Sequence, residues 1–302
     1  NNYSGIRWMH HNGSSWDSIT DGGIYSGATT LTLSISSTTD TLDGYLYKCY
    51  LYGTGADDAT TNSAELLVNA SPTITADPEP QTICEGEDAL FSVAADGDEL
   101  TYQWEEHDGG SWSVMGGETS ALLSVSSATA AMNGYQYRCI AGGICAPDDT
   151  SATALLTVNT APAIVSEPSD AIVIEENNTL FDVSATGSSI THQWYINTGL
   201  DWEILNPDSV HSNTTDDTLV LSGIPEEYLD YRYRCEVSGV CDPEVVSDDA
   251  ILNVLMLPEI TMQPIDTAKC DSLSVIFSVS AEGDSLTYQW QEHNGSWANL
   301  VE

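Results

Sequence analysis

The chain has 302 residues, of which 46 are acidic and 6 are Lys or Arg, a formal net charge of −40. Phosphate-backbone binding needs clustered cations, so a nucleic-acid partner is excluded. No run approaches the roughly 20 apolar residues of a membrane-spanning helix, yet apolar residues make up 41% of the sequence, enough to bury two or three domain cores.

In chain order the same pattern returns four times. Trp8 and Trp16 open it, followed by the alternating segment Leu31-Thr-Leu-Ser-Ile35 and then by Tyr45 to Cys49, which reads Tyr-x-Tyr-Lys-Cys. The second copy runs through Leu90-Phe-Ser-Val-Ala94, Trp104, Trp112 and the Tyr-x-Tyr-Arg-Cys of Tyr135 to Cys139. The third holds Trp194, Trp202, Leu219-Val-Leu221 and Tyr231 to Cys235, and the fourth holds Trp290 and Trp297. The first tryptophans of successive copies lie 96, 90 and 96 residues apart, and the second follows by 8, 8, 8 and 7. A fixed period of this kind marks a tandem array. Alternation of period two predicts half-buried strands, and turns such as Asp108-Gly109-Gly110 and Asn133-Gly134 divide each repeat into about eight of them. Helical spacing is absent. The expectation is an all-β chain of antiparallel two-sheet sandwiches, each around a tryptophan.

The run Phe91-Ser-Val-Ala-Ala-Asp-Gly97, Tyr102-Gln-Trp104 and Asn133-Gly-Tyr-Gln-Tyr-Arg-Cys139 resembles an immunoglobulin-like domain in order and spacing. That resemblance makes Trp8, Trp104, Trp194 and Trp290 the core tryptophans of strand C. It makes Tyr47, Tyr137 and Tyr233 the tyrosine-corner residues, two before the strand F cysteine. The strand B positions that hold the partner cysteine in antibody domains read Val93, Val183 and Val279, so the usual intersheet disulfide cannot form. In detail the chain resembles the tandem domains of giant surface proteins from gliding, type IX-secreting bacteria of the Bacteroidota type. The second repeat carries their Pro72, Cys84-Glu-Gly86, Tyr102-Gln-Trp104, Trp112, Cys139, Cys145 and Leu156-Thr-Val158. The third departs from them with Ile174 in the place of the first cysteine, and the first lacks the second cysteine.

Closing strands end at Val68, Val158 and Val254, and Pro72, Pro162 and Pro258 announce the next domain. The expected organisation is beads on a string. Residues 1–70 form the C-terminal part of a first domain, 71–160 and 161–256 form two whole domains, and 257–302 form the N-terminal part of a fourth. Both terminal domains are expected to be incomplete and the natural chain to continue in both directions. Linkers of about four residues stiffened by proline leave little freedom at the joints, and Leu255-Met256-Leu257 is expected to pack against its neighbours.

Seven cysteines in a turn-rich repeated chain point to an oxidising compartment and hence secretion. The third domain contains only Cys235 and Cys241, so oxidation within that domain must join them. Cys139 with Cys145 is the parallel pair, leaving Cys84, Cys270 and Cys49 over; a Cys84 to Cys139 bridge is the alternative and would leave Cys145 free. Zinc is disfavoured by the lack of paired Cys-x-x-Cys motifs and of histidines at ligand spacing.

The acidic excess reads first as a solvated surface suited to salt, where the Debye length falls to about 3 Å at 1 M. The sharper alternative is calcium at module junctions, held by Asp57/Asp58, Asp148/Asp149 and Asp248/Asp249, although no Asp-x-Asp-x-Asp-Gly loop occurs. No other cofactor is implied. Lys48, Arg138 and Arg234 occupy one slot before the strand F cysteine and turn outward. They serve either as cross-strand partners of acids such as Glu105 or as spaced contacts to an acidic neighbouring chain. The second tryptophans either pin the hairpin after strand C or offer a sugar-stacking platform, while His11, His107 and His293 share a turn position. Asp-Ser/Thr sites at Ser18, Thr41, Ser209, Thr218, Thr267, Ser272 and Ser285 resemble the O-glycosylation signal of the same bacteria. No nucleophile with a base, phosphate-cradling loop or paired-carboxylate cleft stands out, so no catalytic residue is assigned.

Repetition without a distinctive site implies a non-enzymatic, secreted structural segment of a very long filament or adhesin. Its partners are adjacent domains of the same chain and, in a homo-oligomeric fibre, identical chains. Modules that themselves bind glycan or a cell surface, and a spacer in a secreted hydrolase, are the competing readings.

Overall fold

The computed structural model describes residues 3–53 and 58–301. Every regular element among them is a β-strand, apart from three short 3-10 turns at Asp40–Leu42, Ala130–Met132 and Glu226–Tyr228. Contacts divide the chain into two compact units, Asn1–Val158 and Asn159–Glu302.

The first unit contains two separate apolar cores. One lies against a sheet ordered Trp16–Ser18, Tyr3–His11, Tyr45–Gly53, Ala59–Thr60, with Ala64–Leu66 also paired to Tyr45–Gly53. The other is closed between two layers. Its larger sheet runs Trp112–Val114, Thr101–His107, Gln136–Gly142, Ala154–Asn159, Gln81–Cys84; opposite it Ala89–Ser92 pairs with Leu122–Val125. The second unit repeats this plan with Trp202–Ile204, Thr191–Asn197, Arg232–Ser238, Ala250–Leu255 and Ala171–Ile174, the last two running parallel.

Alternation along the strands explains the cores. In Gln136–Gly142 every second residue, Tyr137, Cys139 and Ala141, is buried, and Arg138 and Ile140 face out. Trp104 stands directly across from Cys139 and Trp194 from Cys235, both tryptophans at 0% exposure. Each indole N–H crosses the sandwich to a backbone carbonyl: Trp104 to Ser120 at 2.8 Å, Trp194 to Asp216 at 2.9 Å. Trp8 makes the same bond to Thr30 at 3.0 Å, though its side chain is only half-buried. Trp290 is 39% exposed. The strands that enclose Trp104 and Trp194 have no counterpart around it among the described residues. Tyr47, Tyr137 and Tyr233 are all buried.

The cysteine expectation is corrected. Cys139, Cys145 and Cys235 are free thiols and Cys84 and Cys241 are disulfide-bonded, so neither Cys139–Cys145 nor Cys235–Cys241 forms. The reason is direction. Cys139 and Cys235 point into the core beside their tryptophans, whereas Cys145 lies past the strand end and donates its S–H to Asn69 O at 3.5 Å. Val93 and Val183, buried at the strand B positions, offer these thiols no sulfur. Burial pushes the Cys139 thiol up to about 11 and Cys235 up to about 12 against a weaker opposing hydrogen bond to Gln103 or Gln193; Cys49 is raised by burial alone.

The linkers are fastened to the domain that follows. Ala70 N–H donates to Asp98 Oδ2 at 2.8 Å and Asp98 N–H returns to Ala70 O at 3.3 Å. Thr160 with Ser188 and Met256 with Asp284 repeat this two-bond pair. The third linker also donates Leu257 N–H to Glu175 Oε1 at 3.0 Å. Leu255 and Leu257 remain exposed, so backbone bonds rather than the expected side-chain packing hold that segment. Beside each pair a glycine at positive φ, Gly97, Gly187 or Gly283, lies against the linker proline; a Cβ on Gly97 would meet Pro72 Cα at 3.0 Å.

Two outcomes follow. Gly97→Ala should destabilise the 71–160 segment by about 1–3 kcal/mol in denaturant unfolding, from backbone strain and the Pro72 clash. Iodoacetamide at pH 8 followed by mass spectrometry of the native chain should modify exposed Cys270 and half-exposed Cys145 while Cys139 and Cys235 stay unlabelled, because the thiolate is the reactive form.

Candidate functional site

The repeated outward face of the sheet that holds Thr101–His107, Trp112–Val114 and Gln136–Gly142 in the second module, and their counterparts in the others, carries most of the residues singled out in the sequence. In all three complete copies of the motif, the cation before the strand F cysteine lies over the second tryptophan. Lys48 Nζ sits 3.7 Å from the Trp16 ring centroid, Arg138 Cζ 4.1 Å from Trp112, and Arg234 Cζ 4.2 Å from Trp202. On the tryptophan's flank lies the repeated histidine, at 5.3 Å for His11–Trp16 and His107–Trp112 and 5.2 Å for His293–Trp297. His11 and His107 also accept the turn N–H of Gly13 and Gly109 at Nδ1. Trp16 and Trp112 are thereby packed between a cation and an imidazole, a contact that pins the hairpin, whereas Trp202 has the cation alone. Trp297, which has its histidine but no cation, is 69% exposed.

The cations differ in their other partners. Arg138 faces Glu105 across the strands and pairs with it through Nη2 at 2.7 Å and Nε at 2.8 Å. Lys48 faces Met9, and Arg234 faces Tyr195, whose O–H donates to Glu236 at 3.3 Å. The cross-strand carboxylate read from the sequence is present only at Arg138 among these three.

The third domain holds a cluster that sequence spacing did not single out. His211, at 2% exposure, places Nδ1 3.0 Å from both Asp208 carboxylate oxygens and Nε2 3.0 Å from the buried Tyr233 hydroxyl. Tyr228 stacks on the imidazole at 5.5 Å. Desolvation opposes the Asp208 charge, but hydrogen bonds from the His211 backbone and ring and from Val210 outweigh it and hold this carboxyl below its ordinary value. Burial pushes the Tyr233 hydroxyl upward. The array resembles a relay in composition only. Its imidazole is sealed in the core and already bonded on both nitrogens, leaving it nothing to activate. Its counterparts serve the same end by other means: Tyr47 meets Tyr25 O–H at 3.3 Å, and Tyr137 donates to Glu106 at 3.1 Å. The corner hydroxyls are therefore satisfied by side chains.

Two repeated supports were also missed. Gln103, Gln193 and Gln289, each just before the core tryptophan, donate their amide to the tryptophan carbonyl and to Met115 O, Leu205 O or Leu300 O. Thr61, Ser151 and Ser247 accept the N–H of the strand F cysteine through their hydroxyls. The signal for both was repetition at a fixed offset.

Among the described residues no three His, Cys, Asp or Glu side chains converge on a metal-sized site. Asp149 accepts Ile74 N–H at 2.7 Å and Asp249 lies 3.7 Å from Arg232, whereas Asp58, Asp148 and Asp248 are exposed. Asp57 falls outside the described residues. Of the Asp-Ser/Thr sites, Ser18, Thr41, Ser209, Thr267, Ser272 and Ser285 are exposed and Thr218 is half-buried. A shallow apolar groove of about 400 Å³ runs beneath Trp290 between Pro258, Ile260 and Leu286. No helix among the described residues is long and apolar enough to cross a membrane.

The I-band fragment of titin superposes with a TM-score of 0.59 at 17% identity, covering 82% of this chain and 88% of that one. The N-terminal eight Ig domains of the Down Syndrome Cell Adhesion Molecule superpose at 0.53 and 17% identity, covering 83% and 33%. The fold is a tandem array of immunoglobulin-like sandwiches. No known family matches the chain in sequence. Endoglucanase C of Cellulomonas fimi is 28% identical over 130 residues, 43% of this chain and 12% of that protein's length.

The Asp208 cluster sets a pH dependence. A carboxyl held below its unfolded value of about 3.9 contributes stability that is complete above that pH and is lost as pH falls through the folded-state value. The protection factors of the His211 and Tyr233 amides, measured against the intrinsic exchange rates, should therefore fall as pH drops below about 4, and Asp208→Asn should be less protected at neutral pH with a flatter acid response. Identical acid profiles for the two proteins would refute the assignment.

Proposed function

We propose that the chain is a structural repeat segment of a very long extracellular filament or surface adhesin, with modules at 1–70, 71–160, 161–256 and 257–302 that supply length and stiffness. The observation that carries this reading is the repeated two-bond linker pair, Ala70 with Asp98, Thr160 with Ser188 and Met256 with Asp284. Bonding the linker residue to the module that follows shortens the free chain between modules, as a spacing element requires. Supporting it is one tryptophan-centred unit used repeatedly.

Secretion and a surface location are supported by the disulfide-bonded Cys84 and Cys241 and by the sequence resemblance to type IX-secreted surface modules. Lateral assembly of identical chains into a fibre extends the same reading: regularly spaced sheet edges permit it, and salt screens the −40 charge. A second reading, spacer domains of a secreted hydrolase, is favoured by the 130-residue similarity to Endoglucanase C.

Pulling the chain between its ends under reducing conditions should give separate unfolding events for the 71–160 and 161–256 modules, each releasing about 30 nm of contour at roughly 3.3–3.6 Å per residue. A single cooperative event, or extension without force peaks, would contradict the scaffold reading.

A further inference from the structure

We propose that the outer sheet face of the third module, at Arg234, Tyr195 and Trp202, binds the carboxylated terminal pyranose of an otherwise uncharged glycan. The inference deepens the adhesin side of the reading above and rests on it for the choice of a sugar ligand. Its starting point is a difference between modules at one place. In the second module the guanidinium of Arg138 is neutralised by Glu105 at 2.7 Å, and the flank of Trp112 is covered by His107. The third module changes both neighbours: Tyr195 stands where Glu105 stood and Asn197 where His107 stood. Asn197 is turned into its own hairpin, donating to Leu200 O at 3.1 Å and accepting Gly199 N–H at 2.7 Å.

Arg234 is left as a cation half-buried against two rings, 4.2 Å from the centroid of Trp202 and 5.9 Å from that of Tyr195, with its buried Nε making no hydrogen bond. Among the described residues it makes no ion pair. The nearby acid Glu236 accepts the Tyr195 hydroxyl, and Arg232 takes the adjacent Asp249. A partly desolvated guanidinium whose Nε has no hydrogen bond and which makes no ion pair is costly, and a ligand carboxylate offsets that cost through charge-assisted bonds in a geometry that a lysine cannot reproduce. Lys48 in the first module also makes no ion pair among the described residues, but it is a point charge over a tryptophan already flanked by His11.

The choice of ligand follows from chemistry and charge. The guanidinium calls for a carboxylate, and the neighbouring Trp202 ring offers an apolar surface to the C–H face of a pyranose. Long-range repulsion from a chain of net charge −40 rises with ligand charge, which favours one carboxylate on a neutral glycan over a polyanion or a second copy of this chain.

The test titrates the full chain with methyl glucuronide and with methyl glucoside in about 0.15 M salt, read by isothermal titration and saturation-transfer NMR. The glucuronide should bind about tenfold or more tightly than the glucoside. Tyr195→Glu, which rebuilds the internal acid–arginine pair of the second module, and Arg234→Gln should both erase that preference. Equal binding of the two sugars, no binding by the native chain, or binding that survives both substitutions would overturn the proposal. So would an Arg234-dependent dimer in sedimentation without a sugar preference, which would assign the patch to a second copy. None of these results alters the force response of the modules, so the site and the scaffold reading fail separately.

Discussion

Everything in these modules is arranged around an indole enclosed between two sheets with its one polar atom satisfied. A buried Trp104 or Trp194 contributes a large apolar area, but its N–H would be costly if unbonded, and the carbonyls of Ser120 and Asp216 in the opposite wall answer it. Those bonds fix the depth of strand C relative to the other layer. The glutamine before each tryptophan, clipped to the next hairpin by its amide, fixes the direction in which the chain leaves. The outer cation–tryptophan contacts depend on this placement, since the same strands carry the core residues inward and the cation outward.

Tryptophan spacing and the Tyr-x-Tyr-Lys/Arg-Cys run were enough to read the sheet layers, because a period of two assigns each residue to a face without knowledge of its neighbours. Cysteine pairing was not legible on the same terms. Cys139 and Cys145 are six positions apart, yet one faces the core and the other lies on the linker at Asn69, a matter of direction that spacing does not encode. The Asp208–His211–Tyr233 contact was hidden for a different reason: among the described residues it occurs in one module, so repetition gave no signal, and its members sit on different segments. The Arg234 face was half legible. The cation's slot was visible, but its lack of a carboxylate appears only when strand register sets Tyr195, rather than an acid, opposite it.

Part of the acidic excess has an internal use. Carboxylates of Asp21, Asp43, Asp77, Asp88, Asp149 and Asp170 each accept a backbone N–H, at 2.7–2.9 Å, from turns and strand ends that lack a ladder partner. A carboxylate is an acceptor only, and a charge-assisted bond to it is shorter and stronger than a neutral one. Lysine or arginine could not fill these places. An acid-rich composition thus serves both solvation of the exterior and the capping of backbone N–H groups at turns and strand edges.

The linker pairs have a consequence for how such a chain can grow. Because Ala70 is bonded to Asp98 and Thr160 to Ser188, the last residue before each of these modules finds its partner in the module that follows, while the third linker is also tied back to Glu175. A stretch of gene running from one linker to the end of the next closing strand is therefore a self-sufficient building block. Copying it adds a bead together with the linker bonds to Asp98 or Ser188 that fasten it.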